Sequence, residues 1–390
     1  MERPLRIAII CDAVTDCLAG SFVSTQRFAD LLQAHGHTIL FIASRSPQSP
    51  VDNEHNGMKV YRFASIRLPK SESQFYLGFP SSRALRAIFR DERIDIVHSM
   101  IPTPAAITAS RVARSLSLPL VAHSHTQPDN LFMHLPSFFP IKTLSSLFYR
   151  YLHWIYGKAH TVIHPSEFSR RKFPNLTIPS EVISNGVDSS IFRWRDPASF
   201  LEKFRIPLER KRIVFVGRVH PEKSIDTLIR ATPLMLAAGL DAQVIIVGFG
   251  HMEESLQKLA RELGVADHVT FTGRVGSDDL VSAYSAADLF VMPSLAELEG
   301  MAVLEAMACG APVLIADAPE SAARYFVDDN GALFRPRDYE HLAEEATRLL
   351  NDSALPQMRE ASLAKSRDYD INVSVGRIEE IYRRLLNDDE

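Results

Sequence analysis

Short apolar runs alternate with amphipathic stretches along almost the whole chain. In the first half, runs at 6–11, 38–43, 94–98, 119–122, 161–164 and 181–183 read as strands. Helical patterns fall between several of them, the first at 22–32. In the second half, 212–216, 243–247, 269–271, 289–292 and 312–315 read as strands, with helices such as 225–238 and 252–263 between them. Apolar strands separated by helices predict an α/β fold of parallel sheets covered on both faces. An irregular stretch at 188–205 divides the two series. The pattern therefore predicts two Rossmann-like domains, 1–195 and 205–368, facing each other across a cleft, where such sheets hold ligands. An amphipathic pattern at 373–386 makes 369–390 a separate C-terminal helical segment.

Composition narrows the class. A chain of 390 residues, 46% hydrophobic and 23% charged, is long enough for two ordinary domains and balanced like a soluble globular protein. No apolar run approaches the roughly 18 residues of a membrane span. The opening MERPLRIAIICD runs straight into a strand without a cleavage region, so a cytoplasmic protein is expected. Cys11, Cys17 and Cys309 have neither disulfide density nor metal spacing, and read as packing residues in a reducing compartment. Charge divides unevenly: residues 1–200 carry 22 Lys and Arg against 15 Asp and Glu, leaving 21 against 32 in the remainder, a balance of +7 and then −11. A basic first half suits an anionic surface or substrate. Nucleic acid is disfavoured, because that half lacks an aromatic-interleaved RNA motif and the whole chain is acidic.

The chemistry concentrates in VMPSLAELEGMAVLEAMACGAPVLIA, residues 291–316. A strand feeds a helix through a loop marked by Pro293, Ser294 and Gly300, and the helix, 301–309, stops at Gly310. A helix N-terminus with unpaired amides and a positive dipole suits a phosphate. Glu305, about one turn inside, can accept hydrogen bonds from ribose hydroxyls, while Glu297 in the loop can reach a sugar beyond the phosphates. The spacing of Glu297 and Glu305, with Gly300 between and Glu-Ala-Met-Ala following, resembles the signature of the retaining family 4 glycosyltransferases, which have the GT-B fold. The resemblance implies that Glu297 contacts the donor hexose, the Met301 and Ala302 amides the diphosphate, and Glu305 the ribose. It also implies a last helix that crosses back to the first domain. Glu299 stands where the family commonly has an aromatic.

A second constellation, VFVGRVHPEKSIDTLI, follows the first strand of the second half. A diphosphate leaving group needs positive charge, and Arg218, Lys223 and a helix N-terminus supply it without metal. This resembles the family's Gly-Arg…Glu-Lys-Gly element, in which Arg and Lys hold the donor phosphates; Ser224 replaces the usual glycine and could shift the helix start. Gly248 and Gly250 end a strand as a loop near a nucleotide would, and Arg274 and Val275 correspond by resemblance to the segment whose backbone reads the base. Each of these also fits an ordinary strand-to-helix turn.

In the first half, Ala19, Gly20 and Ser21 lie where the family usually has Gly-Gly beside the donor phosphate, with Gly20 allowing close approach. His125 aligns with a family histidine that contacts the donor sugar, with His123 its nearest rival. The phrase His-Thr-Gln-Pro-Asp-Asn at 125–130 is similar to the His-x-x-Pro-Glu-Asn of members that glycosylate diacylglycerol, with Asp129 for Glu. Residues 136–160, rich in aromatics with Lys142, Arg150, His153 and Lys158, read either as a membrane-interface helix or as a core helix of the first domain. Arg67, Lys70, Arg83, Arg86, Arg90 and Arg93 read either as a lipid-attracting neighbourhood or as a solvated helix face.

The expectation is a retaining, metal-independent hexosyltransferase without cofactor. It would take a nucleotide sugar, UDP-glucose favoured, and an acceptor hydroxyl on a membrane lipid such as diacylglycerol, at the cytoplasmic face of an anionic membrane met by the first domain. Alternatives are a saccharide or polyprenol-linked acceptor, a sugar-nucleotide epimerase, and a non-catalytic nucleotide-sugar-binding or membrane-associated protein.

Overall fold

Alternation along each strand sends one set of side chains to each face of a sheet, and in the first unit helices bury both sets. The computed structural model describes residues 3–12, 20–47, 49, 53–67, 75–128 and 140–387. The chain divides into two units: the first holds the described residues up to 128, residues 140–185 and the last helix, and the second runs from 186 to 370. Cys17, Ala19, Lys70, Asp129, Asn130 and residues 136–139 of the aromatic stretch lie outside the described residues.

The first unit carries β1 (Arg6–Ile10), β2 (Thr38–Ser44), β3 (Glu54–His55), β4 (Met58–Phe63), the separate antiparallel pair β5 (Ser65–Arg67) and β6 (Tyr76–Gly78), then β7 (Ile96–Ser99), β8 (Leu120–His123), β9 (Thr161–His164) and β10 (Ser180–Val182). Its main sheet has the order β10-β9-β8-β7-β1-β2-β4-β3, parallel except where β3 meets β4. Ile7, Ile9, Phe41, Ile96 and Val121 face the helix Gly20–Ala34 and the C-terminal helix Ile371–Asn387. Ala8, Ile10, Ile42, Val97 and Ala122 face the helices Ser82–Asp91, Pro104–Ser115 and Ile141–Tyr156. The last helix thus completes the first unit's core, as expected of it: Ile371, Val375, Ile378 and Tyr382 are fully buried there.

The second unit has a six-stranded parallel sheet of order β13-β12-β11-β14-β16-β18. Its strands are β11 (Lys211–Val216), β12 (Ala242–Val247), β13 (Val269–Gly273), β14 (Leu289–Met292), β16 (Val313–Ala316) and β18 (Gly331–Phe334); β15 (Ala296–Glu297) and β17 (Glu320–Ser321) form a short parallel pair apart from it. The chain builds outward from β11 through β12 and β13, then returns to add β14 on the other side. That reversal, between β11 and β14, is the point at which parallel sheets of this kind bind ligands at their carboxyl ends.

The unit boundary lies earlier than the sequence pattern set it. Val187 N–H donates to the Tyr369 carbonyl at 2.8 Å, and the Phe192 ring meets Tyr284 at 6.0 Å, so 186–195 packs with the second unit. β18 has no counterpart in the sequence reading. It needs its glycine: a Cβ on Gly331 would lie 1.8 Å from the Val313 carbonyl oxygen. Among the described residues no helix is long and apolar enough to cross a membrane.

If the C-terminal helix is part of the first unit's core, Ile378→Ala should cost about 2–5 kcal/mol. Urea unfolding measures this; a loss below about 1 kcal/mol would place the helix outside that core.

Candidate functional site

At the carboxyl end of β11 the chain turns through Gly217, Arg218 and Val219 into a tight helical turn, Pro221–Lys223, and then the helix Ile225–Ala237. Ser224 joins the two helical segments in the left-handed region, φ 47° and ψ 40°. That conformation explains why glycine suits the position and why serine there costs about 1 kcal/mol. Its hydroxyl lies 2.9 Å from that of Thr227, and the helix starts at Ile225, where the apolar pattern placed it.

The β11 loop is stitched to the loop after β12. Val219 N–H donates to the Phe249 carbonyl at 2.9 Å, and Met252 N–H to the Val219 carbonyl at 3.2 Å. Backbone meets backbone so closely that a Cβ on Gly248 would fall 1.9 Å from the Gly217 oxygen, and one on Gly250 2.3 Å from the Val219 oxygen. Both glycines are therefore required by this contact. Gly248 N–H also donates to the Gly273 carbonyl at 3.0 Å, which ties in the end of β13; Arg274 beyond it is exposed and Val275 partly buried against the core.

Across the switch point, the loop after β14 is anchored by Leu295 N–H, which donates to the Glu222 carbonyl at 2.8 Å. The pairing of β15 with β17 then fixes Glu297 opposite Ser321. Gly300 has φ 105° and starts the helix Met301–Ala308. Val303 N–H bonds to the Gly300 carbonyl at 2.8 Å, whereas the Met301 and Ala302 amides have no backbone acceptor among the described residues. They are the unsatisfied donors of a helix start.

Two ion pairs stand at this corner. Lys223 Nζ pairs with Glu297 Oε1, with side-chain exposures of 13% and 15%, and Arg218 Nη2 donates to Glu222 Oε1 at 2.9 Å. Glu305, one turn into its helix, is buried and accepts from the Tyr284 hydroxyl at 2.7 Å. Arg218, Lys223, Glu297 and the helix start are thus brought together by two loops at one switch point, with Gly248 at its flank. The sequence reading missed Glu222. It is almost fully buried, holds Arg218 through its carboxylate and the Glu297 loop through its carbonyl; its place beside Lys223 in the same motif was the available signal. Glu299 is also buried, near Tyr369, whose hydroxyl pKa is raised first by burial and then by that carboxylate.

In the first unit Gly20 is the exposed first residue of its helix, two residues earlier than the pattern suggested. His125 follows β8, partly exposed, and its ring stacks on His123 at 4.1 Å. His123 stacks in turn on His98 at 5.6 Å and on Phe28 at 5.7 Å, and His98 Nδ1 shares a hydrogen bond of 2.6 Å with the Tyr382 hydroxyl on the C-terminal helix. Burial pushes all three imidazoles below their usual range, His98 to about 3. His98 and His123 are buried, so only the partly exposed His125 can meet a ligand, and a neutral ring there can donate one hydrogen bond and accept one, as a sugar hydroxyl requires. Cys11 and Cys309 are buried packing residues, and burial raises the Cys309 thiol to about 12.

The depressed histidines give the fold an acid limit. Unfolding exposes them at a pKa near 6.5, so their stabilisation is complete above that value and drains away as pH falls towards the folded values. Each of the buried His98 and His123 should contribute a slope of about 1.4 kcal/mol per pH unit below pH 6.5. Urea unfolding at pH 7, 6 and 5 should show stability falling with acid, and His123→Phe should flatten the slope by about one proton. An unchanged slope would contradict a neutral, buried His123.

Comparison with known proteins agrees with this architecture. The model of Glycosyltransferase Family 4 matches residues 19–191, and that of Glycosyl transferases group 1 matches 198–366. The GDP-mannose-dependent alpha-mannosyltransferase of Mycolicibacterium smegmatis is 30% identical over 317 residues, 80% of this chain and 80% of that protein. The alpha-monoglucosyldiacylglycerol synthase of Streptococcus pneumoniae is 24% identical over 321 residues, 80% of this chain and 70% of that protein. Sucrose-phosphate synthase of Thermosynechococcus elongatus superposes with a TM-score of 0.81 at 19% identity, covering 98% of this chain and 99% of the other, a likeness of fold. The chain belongs to the family 4 glycosyltransferases, with the GT-B fold, and is a glycosyltransferase.

Proposed function

We propose that the switch-point corner of the second unit is the donor site of a retaining, metal-independent hexosyltransferase that takes a nucleotide sugar. The observation that carries the reading is the meeting of Lys223 and Glu297 beside Arg218 and the unsatisfied Met301 and Ala302 amides. Two cations and a helix N-terminus offer the positive charge that a departing diphosphate requires. The diphosphate competes with Glu222 and Glu297 for these cations, which frees Glu297 to hold the hexose. Glu305 accepts from the ribose, the loop at Gly248 and the backbone at Arg274 and Val275 flank the nucleoside, and Gly20 and His125 are the first unit's donor contacts.

In the proposed reaction the bond from the anomeric carbon to the diphosphate oxygen breaks as the acceptor oxygen bonds to that carbon on the same face. The acceptor proton passes to the leaving diphosphate oxygen, so no protein base is consumed. Charge on that oxygen is met by Arg218, Lys223 and the helix amides. Exclusion of water limits hydrolysis of the donor.

The acceptor is a hydroxyl on a membrane lipid. The similarity of residues 125–130 to members acting on diacylglycerol and the relative named as a monoglucosyldiacylglycerol synthase support this, together with UDP-glucose as donor. A second reading, transfer from GDP-mannose, is favoured by the mannosyltransferase relative that covers four fifths of the chain.

Glu297→Gln and Lys223→Ala should each lower transfer by at least about a hundredfold while far-UV circular dichroism stays unchanged. Wild-type turnover in either would remove the site assignment. A panel of UDP- and GDP-sugars against diacylglycerol vesicles and soluble saccharides identifies donor and acceptor; products on saccharides alone would overturn the lipid reading.

A further inference from the structure

A diphosphate bound at the switch-point corner leaves one buried charge in need of a partner. In the proposed reading it draws Lys223 from Glu297 and Arg218 from Glu222, and Glu297 turns to the hexose. Glu222 has no such outlet. Its side chain is only 2% exposed, and its backbone carbonyl is committed to Leu295 N–H at 2.8 Å. A carboxylate that loses its arginine at this depth must gain another counter-charge, or its desolvation opposes ligand binding.

His220 stands where that counter-charge is required. Its Nδ1 lies 3.7 Å from Glu222 Oε2, whereas Arg218 Nη2 holds the other oxygen, Oε1, at 2.9 Å. The imidazole is set in place by its surroundings. His220 N–H donates to the Arg218 carbonyl at 3.0 Å, and Lys223 N–H donates to the His220 carbonyl at 3.0 Å. The ring lies so close to the loop after β12 that a Cβ on Gly250 would come within 2.9 Å of His220 Cδ2. The titratable groups that face it are Glu222 in its own turn and His251 in that loop, whose ring meets it edge to face at 4.8 Å. Two imidazoles this close hold one proton more readily than two. While Arg218 sits on Glu222, the carboxylate charge is matched. Once Arg218 leaves, a negative charge 3.7 Å from a ring nitrogen favours the imidazolium.

We infer that His220 is a positioning residue of the donor site, which takes up a proton as the diphosphate draws Arg218 away and becomes the counter-ion of Glu222. Arg218 is thereby released to phosphate without leaving a bare buried carboxylate. The inference deepens the proposed function and rests on its donor-site reading. The proton comes from solvent and returns there when the nucleotide leaves, and no bond of the sugar takes part. Because binding is coupled to proton uptake, donor affinity is greatest on the acid side and falls as pH rises above the ordinary imidazole value of about 6.5.

The test is titration calorimetry of the full chain with UDP-glucose and GDP-mannose near pH 7, in buffers of different ionisation heat. The diphosphate of neither ligand carries a titratable proton in this range, so any proton taken up is the protein's. The nucleotide sugar that binds should bring roughly half a proton or more, and its Kd should rise about threefold or more between pH 7 and pH 8. His220→Gln and Glu222→Gln should each abolish the uptake and flatten the pH dependence while circular dichroism stays that of the wild type. The second does so with His220 intact, because a neutral amide needs no counter-charge. His251→Gln should keep both effects. Wild-type binding without proton uptake overturns the inference. So does uptake that survives in folded Glu222→Gln, which would put the imidazole on the phosphate itself, or uptake lost in His251→Gln and kept in His220→Gln. A nucleotide sugar that binds Lys223→Ala as tightly as the wild type defeats the donor-site reading and the inference with it; binding that depends on Lys223 but takes up no proton defeats the inference alone.

Discussion

Everything proposed for the second unit depends on the ion pair between Lys223 and Glu297, which joins positions 74 residues apart. The partners arrive from opposite sides of the switch point, one after β11 and the other after β14. Both side chains are mostly buried, so separating them without a replacement would leave costly unpaired charges. A nucleotide diphosphate is such a replacement, because it brings negative charge to the same cation and an acceptor-rich surface to the same amides. The corner is held by its own carboxylates, and in the proposed reading a bound diphosphate takes their place at little electrostatic cost.

That pair is placed by backbone contacts more than by side chains. The β11 and β12 loops touch where Gly248 and Gly250 leave no room for a Cβ, and Leu295 is tethered to Glu222. Glu222 therefore serves both loops at once, through its carboxylate to Arg218 and its carbonyl to the strand carrying Glu297. Ser224 shows how far the pattern tolerates change: the left-handed turn survives a side chain, and the helix behind it starts at the same residue.

Much of this is legible in the amino-acid sequence. The apolar runs marked nearly every central strand, because a strand buried on both faces must be apolar throughout. Arg218, Lys223, Glu297 and Glu305 could be singled out because their loops carry glycine, proline and helix-start signals at fixed spacing. What escaped was whatever depends on distant contacts. β18 is four residues with a leading glycine, whose value lies in the Val313 backbone beside it. Glu222 and Glu299 look like solvated loop carboxylates until the fold buries them. The column of His98, His123 and His125 needs β7 and β8 side by side in the sheet, and only the end of β8 had a local signal. The boundary near 186 escaped because Val187 is fixed by Tyr369, at the far end of its unit.

The two units differ in what their sheets carry. Family membership fixes the class of reaction, glycosyl transfer. The first unit combines a buried, neutral histidine column with exposed cations on its outer helices; the second sets Arg218 and Lys223 beside the start of the helix Met301–Ala308. The most direct measurement is a crystal structure with UDP or GDP bound. The account predicts the diphosphate within hydrogen-bonding distance of Arg218, Lys223 and the Met301 and Ala302 amides, with the ribose at Glu305. A nucleotide bound elsewhere, with the Lys223 and Glu297 pair untouched, would contradict it.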